Sequence, residues 1–163
     1  MEIKRISISQ ISTVQEIAAL TWPVAFKNIL SPLQIDYMLD MMYSDASLVQ
    51  QFNSGCIFFV LYEAEIPKGF ASVQQMSTDD FKLHKLYVLP EFQRKSAGKN
   101  LLNTIIKYVN DNSGFALYLN VNKYNIQAIE FYKKQGFTLK REEDIDIGNG
   151  YFMNDFVMEL LLT

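Results

Sequence analysis

The spacing of hydrophobic and polar positions first predicts a strand and then helices. An alternating run over 3–8 is typical of a strand, and the segments STVQ and SPLQ that follow begin at Ser12 and Ser31. Each has the spacing of a capping box, in which the serine caps a helix and the glutamine three residues later reaches back to it. Two amphipathic helices are therefore predicted, with a shorter helix around 48–52.

From Gly55 onwards the spacing becomes that of β-strands. The runs CIFFVLYE and GFASVQQM are rich in aromatic and β-branched residues, and AEIPKG lies between them. They predict a β-hairpin with Pro67 and Gly69 as turn residues. A further strand is predicted over 81–88.

The second half of the chain alternates strands with helices. A helix with one apolar face follows residue 97, a strand is predicted over 115–121, and Asn125 can cap a helix that ends at Gly136. Two more strands are joined by GNG. This order predicts a mixed α/β sheet with right-handed crossovers, in which strands 81–88 and 115–121 run parallel.

Composition narrows the class of protein. The 163 residues are enough for one domain, 1–163, and 15 basic against 18 acidic residues give a net charge of −3. No broad cationic face for nucleic acid is expected. One cysteine, no secretory leader in MEIKRISIS and no membrane-length apolar stretch indicate a cytoplasmic protein without membrane insertion.

The stretch LYVLPEFQRKSAGKNLL, residues 86–102, indicates chemistry. A strand stops at Pro90 and a helix starts near Gly98, where free amides and the helix dipole favour an anion. Gln93, Arg94, Lys95 and Lys99 surround this turn, so a pyrophosphate fits best. A plain strand-to-helix connection is the alternative. The chain has neither a Walker lysine motif nor a Gly-x-Gly-x-x-Gly run, which argues against nucleoside triphosphates and dinucleotides.

These residues resemble the GNAT superfamily of acyl-CoA-dependent N-acetyltransferases. Its signature is arginine or glutamine, two variable residues, glycine, one variable residue, then glycine or alanine, here matched by Gln93, Ser96 and Gly98. Ser96 replaces the usual glycine, and we expect no positive φ there. A second match is NIQAIEFYKKQGF, which resembles the family's helix with an aromatic-tyrosine pair and a closing Gly-Phe.

The resemblance implies a GNAT-like, mostly antiparallel sheet and acetyl-CoA as cosubstrate, with no metal. Its pyrophosphate would bind at 93–99, and its pantetheine arm would run between strands 81–88 and 115–121. The predicted cofactor-binding residues are Leu86, Tyr87, Val88, Gln93, Arg94, Lys95, Ser96, Ala97, Gly98, Lys99, Asn125 and Tyr132.

Acetylation of an amine requires proton transfers at both ends of the reaction. An alkyl ammonium is only about one part in a thousand neutral at pH 7, so a base is needed. By resemblance Tyr132 is the acid that protonates the leaving thiolate, and His84 is the base, on the same strand face as Leu86 if that strand is regular. A buried aromatic, a structural histidine and the carboxylates of 142–146 are the alternatives.

The acceptor is predicted to be a primary amine of a small molecule. By resemblance, Trp22, Phe26 and Tyr37 of the first two helices cover its cleft, although core packing explains them equally well. TWPVAFKNILSP, LHKLYV and GNGYFMNDFVMEL are similar to bacterial spermidine/spermine acetyltransferases, which suggests a polyamine. A protein N-terminus or lysine, or a non-catalytic acyl-CoA sensor, are the alternatives. The apolar C-terminal strand suggests a possible homodimer.

Overall fold

The computed structural model describes residues 1–162, which contain seven strands and five α-helices. The strands are β1 (Glu2–Arg5), β2 (Ile57–Glu63), β3 (Ile66–Gln75), β4 (Asp80–Val88), β5 (Ala116–Asn122), β6 (Thr138–Gly148) and β7 (Tyr151–Leu161). The helices are α1 (Ile11–Ala25), α2 (Pro32–Tyr43), α3 (Asp45–Asn53), α4 (Ala97–Asp111) and α5 (Ile126–Lys134).

The strands form one sheet in the order β1-β2-β3-β4-β5-β7-β6. β4 and β5 are parallel, and every other neighbouring pair is antiparallel. This confirms the predicted mixed, mostly antiparallel sheet with a central parallel pair. The crossover through α4 joins β4 to its neighbour β5. The crossover through α5 joins β5 to β6, and β7 lies between these two strands.

Helices cover both faces of the sheet. Tyr108 of α4 contacts Phe59 and Phe81, while Tyr43 of α2 contacts Phe70 on the opposite face. Since Phe59 is paired with the residue next to Phe70, these two side chains point to opposite faces. The sheet is therefore buried between α4 on one side and α1 with α2 on the other.

The hairpin of β2 and β3 is confirmed, but its turn is not where the sequence predicts it. Ala64 and Glu65 form the turn, with φ of 48° and 65°. Pro67 and Gly69 lie within β3 instead. A Cβ on Gly69 would lie 2.8 Å from the carbonyl oxygen of Tyr87, so the glycine permits close strand packing.

The predicted cap of α2 is confirmed in part. Ser31 Oγ accepts from Gln34 N at 3.1 Å, but Gln34 Nε2 donates to Phe152 O at 3.0 Å and does not reach back. The predicted start at Ser12 is wrong, because α1 begins at Ile11 after a 3₁₀ turn.

The glutamine of that first predicted cap has a long-range role. Gln15 Nε2 donates to Tyr43 O and Asp45 Oδ1, both at 2.8 Å, so it ties α1 to the junction of α2 and α3.

The apolar C-terminal segment forms an interior strand. β7 pairs with β5 and β6, and Val157 and Met158 are buried in the chain's own core. This packing accounts for the inward apolar residues of β7, whereas Phe152 and Leu161 are exposed. The homodimer that the sequence suggests stays a prediction. No helix within residues 1–162 combines the length and the apolar composition that crossing a bilayer requires.

Candidate active site

The parallel strands separate halfway along their length. Asp80–Leu83 of β4 pairs with Ala116–Leu119 of β5, and the register between the two strands ends there. β5 continues to pair with β7 as far as Asn122. The main chain of β4 after Leu83 therefore borders an open cleft on its β5 side, at the carboxyl ends of both strands, where ligands of such sheets commonly bind.

A β-bulge in β4 lies where the strands separate. Leu83 is paired with Val73 of β3 and Lys85 with Ser72, so His84 is the extra residue of the bulge. Bulges commonly redirect side chains next to active sites.

The bulge places the His84 ring on the sheet face that α1 and α2 cover, where its Nε2 lies 2.9 Å from Gln74 Oε1. Lys85 lies on the same face, with its Nζ 5.2 Å from the centroid of the Tyr43 ring. Leu86 points to the opposite face, toward the start of α4. The expectation that His84 and Leu86 share a face is wrong, because it assumed a regular strand.

The cleft has a volume of about 680 Å³ and extends from β4 to α5. The predicted cofactor-binding residues that line it are Leu86, Tyr87, Val88, Gln93, Arg94, Ser96, Ala97, Gly98, Lys99, Asn125 and Tyr132. Lys95 does not line it, since its Nζ lies over the ring of Phe92, 4.9 Å from the centroid.

The loop before α4 contains two residues in the left-handed region. Arg94 has a φ of 66° and Ser96 a φ of 61°, so the expectation that Ser96 needs no positive φ is wrong. Gln93 Nε2 donates to Val88 O at 3.2 Å and holds the loop against the end of β4. Left-handed residues in a turn direct neighbouring amides into one concavity, and the positive end of α4 adds to its attraction for an anion.

Asn125 caps α5 as predicted. Its Oδ1 accepts from Ala128 N at 3.2 Å, and the same residue lines the cleft. The helix is followed by Gly136 with a φ of 98°. The cap fixes the start of α5 and, with it, the position of Tyr132 two turns later.

Tyr132 is buried at the side of the cleft formed by α5. Its ring packs against Phe131 and Phe137, with centroids 5.2 and 5.5 Å apart. Burial raises the pKa of its phenol well above the usual value, because the charged phenolate would be poorly solvated. The hydroxyl therefore stays protonated at neutral pH and can donate a proton.

His84 has a defined neutral form. Gln74 Nε2 donates to Ser54 O at 2.9 Å, so Gln74 Oε1 is the acceptor that faces His84 Nε2. His84 Nε2 must then carry the proton, and Nδ1 keeps its lone pair. Burial, aided by Lys82 and Lys85, lowers the pKa of His84 to about 4.

A second cavity of about 190 Å³ adjoins His84 on the α1 and α2 side. Trp22 and Phe26, predicted to contact the acceptor, line it. Tyr37 lines neither cavity. Its hydroxyl donates to Ile147 O at 2.6 Å and so holds the hairpin of β6 and β7.

Asp155 is a cavity residue that the sequence analysis missed. It is 4% exposed, and Asn120 Nδ2 lies 3.3 Å from its Oδ2. Burial raises its pKa. The signal was available in the pattern of β7, because Asp155 occupies an inward position between Met153 and Val157, where an apolar residue is expected.

The acidic stretch 142–146 is engaged elsewhere. Glu142 and Asp144 pair with Lys123 at 3.1 and 3.4 Å, and Glu143 pairs with Arg141 at 2.8 Å. Glu142 and Asp144 are largely solvated, whereas Glu143 Oε2 accepts from Asn120 Nδ2 at 3.1 Å, the same amide that contacts Asp155. Of these carboxylates, Asp155 is the one that lines the second cavity. Within residues 1–162 no group of three or more His, Cys, Asp or Glu side chains could hold a metal ion.

Comparison with known proteins identifies relatives over nearly the whole chain. The sequence model of the family described as "Acetyltransferase (GNAT) family" matches residues 13–137. The chain is 27% identical over 164 residues to a spermidine N(1)-acetyltransferase of Thermoplasma acidophilum, covering 98% of this chain and 96% of that protein.

Two solved structures are similar in fold. PaiA N-acetyltransferase from Thermoplasma acidophilum, in complex with coenzyme A, has a TM-score of 0.83 and 26% identity, covering 99% of this chain and 98% of that one. The ribosomal-protein-S18-alanine N-acetyltransferase from Escherichia coli has a TM-score of 0.76 and 18% identity, covering 99% and 94%. The fold is thus shared by proteins named for different acceptors and does not itself select the acceptor.

Proposed function

Since the chain belongs to the acetyltransferase (GNAT) family, we propose that it transfers the acetyl group of acetyl-CoA to a primary amine of a small molecule. The observation that carries this proposal is the cleft where β4 and β5 separate, which a buried phenol and an anion-binding loop border. The Thermoplasma PaiA structure is a complex with coenzyme A, which supports acetyl-CoA as the cosubstrate of this chain.

Each part of acetyl-CoA has a matching part of the cleft. The pyrophosphate would lie on the amides of 93–99, and the pantetheine arm between β4 and β5. The main-chain amides within 86–88 that point away from β3 would donate to the oxyanion that forms when the thioester is attacked.

The reaction is a direct attack of the neutral amine on the thioester carbonyl. The C–N bond forms, the attacking nitrogen becomes strongly acidic, and its proton passes to a base. We propose His84 Nδ1 for this role, directly or through one water, because the hydrogen bond between Nε2 and Gln74 leaves the lone pair on Nδ1. The lowered pKa keeps Nδ1 unprotonated at neutral pH and makes it a weak base, suited to the strongly acidic nitrogen that forms after attack. Asp155 is the alternative base, since it lines the second cavity with His84, and we propose that this cavity is the acceptor cavity.

The C–S bond breaks as the tetrahedral intermediate collapses. Coenzyme A leaves as a thiolate, and we propose that the Tyr132 hydroxyl gives it a proton. A phenol of ordinary pKa near 10 is already protonated in the neutral range. Burial raises the pKa of Tyr132 further, so the phenolate left after donation must be reprotonated promptly.

Polyamines are one candidate class of acceptor. The spermidine N(1)-acetyltransferase of Thermoplasma acidophilum supports them by its name, at 27% identity. A protein N-terminus or lysine is the second candidate, because the similar Escherichia coli structure carries the name of a protein acetyltransferase.

The decisive test is an acceptor panel with acetyl-CoA, in which release of the free thiol of coenzyme A is measured. The panel contains polyamines, diamines, amino acids and lysine-containing peptides. We expect acetyl-CoA-dependent turnover with at least one small amine. Turnover of peptides alone would favour the second candidate, and binding of acetyl-CoA without transfer to any acceptor would indicate a sensor.

A further inference from the structure

Lys85 is a buried lysine without a hydrogen-bond or salt-bridge partner among residues 1–162. Its side chain belongs to a residue that is 8% exposed, and its Nζ rests on the Tyr43 ring, 5.2 Å from the centroid. Within residues 1–162 no carboxylate forms a salt bridge with it. An ammonium removed from water is costly unless an anion or several acceptors replace the lost hydration.

The orphaned polar atoms of the core lie around the same lysine. Among the described residues, the buried side-chain N and O atoms without a hydrogen-bond partner are Trp22 Nε1, Tyr43 Oη and Ser72 Oγ. The Trp22 ring lies 5.9 Å from the Tyr43 ring, and Ser72 is the cross-strand neighbour of Lys85. Each of these groups can donate a hydrogen bond. Tyr43 and Ser72 line neither cavity, so among the three Trp22 is the one that a ligand in the second cavity can approach.

The acceptor cavity reaches two donors, Lys85 and Trp22, which form the donor cluster, because both residues line it. Asp155, in contact with Asn120, lines the cavity as well. The cavity therefore has a donor-rich, cationic part and an acidic part, and His84 lines it beside Lys85.

We propose that the donor cluster binds the carboxylate of the acceptor, so that the acceptor is a primary amine that also carries a carboxylate, such as an amino acid. This inference rests on the proposed function and narrows its acceptor. A carboxylate would accept from both residues of the donor cluster, while the amine would lie toward His84 and Asp155. A polyamine offers no acceptor oxygen and would add ammonium groups beside Lys82 and Lys85.

The test compares amines that differ only in the carboxylate. Ornithine is compared with putrescine, and lysine with cadaverine. The acceptor kcat/KM is measured with acetyl-CoA, and the Kd by calorimetry on the protein saturated with coenzyme A. We expect at least tenfold tighter binding of each amino acid than of its diamine. Equal or tighter binding of the diamines, or no binding of either member of a pair, overturns the inference.

Variants assign the preference to the lysine. Lys85→Met should reduce the preference to less than threefold, and Lys85→Arg should retain most of it. Lys4→Met is the matched control, because Lys4 also lies over an aromatic ring, Tyr62, but lines neither cavity. Persistence of the full preference in Lys85→Met contradicts the inference. If Lys85→Met does not fold, the inference is tested by the preference of the wild type for each amino acid over its diamine and by the same preference in Lys85→Arg.

The two proposals fail in different ways. If diamines are acetylated with the same kcat/KM as amino acids, the proposed carboxylate site is wrong and the acetyltransferase proposal stands. If ornithine binds in a Lys85-dependent manner but no amine is acetylated, the carboxylate site stands and the acetyltransferase proposal fails.

Discussion

At the scale of single residues, burial reinforces the neutral forms of the two proposed catalytic groups. It raises the pKa of Tyr132 and lowers that of His84 to about 4, because the charged form is an anion in one case and a cation in the other. Both groups are mainly neutral at pH 7 even at their ordinary pKa values, and burial extends the pH range over which they stay neutral. A neutral phenol can give a proton, and a neutral imidazole can take one.

Replacement of Tyr132 by phenylalanine tests the acid. We expect Tyr132→Phe to lower kcat by about 10²-fold, the usual contribution of a general acid, with the KM for acetyl-CoA nearly unchanged. Tyr87→Phe is the control, because the Tyr87 phenol is also shielded from solvent and lines the same cleft. An unchanged kcat in Tyr132→Phe, or a larger loss in Tyr87→Phe, would reject the assignment.

Gln74 is expected to act through His84. Gln74→Leu removes the acceptor that fixes the proton on His84 Nε2, so acceptor kcat/KM should fall about tenfold at neutral pH. His84→Ala should lower it by more than threefold. If both act through one group, the double variant should lose no more than His84→Ala alone. Additive losses in steady-state assays would show that Gln74 does not position His84.

At the scale of elements, the glycine in the first turn of α4 is not required by packing. A Cβ on Gly98 would meet Phe131 at 3.6 Å and Leu86 at 3.8 Å, which are ordinary contacts. The fold would thus accept alanine at this position. Only a ligand that approaches the main chain closely requires the glycine.

Gly98→Ala should therefore separate binding from stability. We expect an unchanged or higher melting temperature, since alanine favours the helix by about 0.5–1 kcal/mol, together with at least tenfold weaker binding of coenzyme A by calorimetry. Gly69→Ala is the counterpart and should cost about 1–3 kcal/mol of stability, because its Cβ would meet Tyr87 O at 2.8 Å. A destabilised Gly98→Ala with normal affinity would contradict this view of the loop.

At the scale of the whole molecule, His84 should make stability depend on pH. Its pKa falls from 6.5 to about 4 on folding, so the unfolded chain binds more protons between these values. The free energy of unfolding should decrease as pH falls from 6.5 to 4, by up to about 3 kcal/mol from this group. Lys82 and Lys85, which also disfavour the imidazolium, act in the same direction.

Urea denaturation of the wild type and His84→Gln at pH 7.5, 6 and 5 measures this contribution. The difference in unfolding free energy between the two proteins should shift in favour of the variant as the pH falls. Since the carboxylates are common to both proteins, their titration largely cancels. A difference that does not change with pH would show that His84 is not held neutral by the fold.

The sequence by itself determined the order of elements, the parallel pair and the position of the cleft. These features depend on local rules: apolar periodicity, the cap at Asn125, and the crossover that brings the ends of strands 81–88 and 115–121 together. Most of the predicted cofactor-binding residues line the cleft because they lie on those ends or in the loop that follows them.

Only the tertiary structure decided the surroundings of individual side chains. The bulge that redirects His84 depends on the register with β3, and the positive φ of Ser96 depends on how the loop closes on β4. Lys85 and Asp155 acquire their roles from groups that are distant in the chain, such as Tyr43 and Asn120. Periodicity cannot encode these relations, because they arise from strand register and helix packing across many residues.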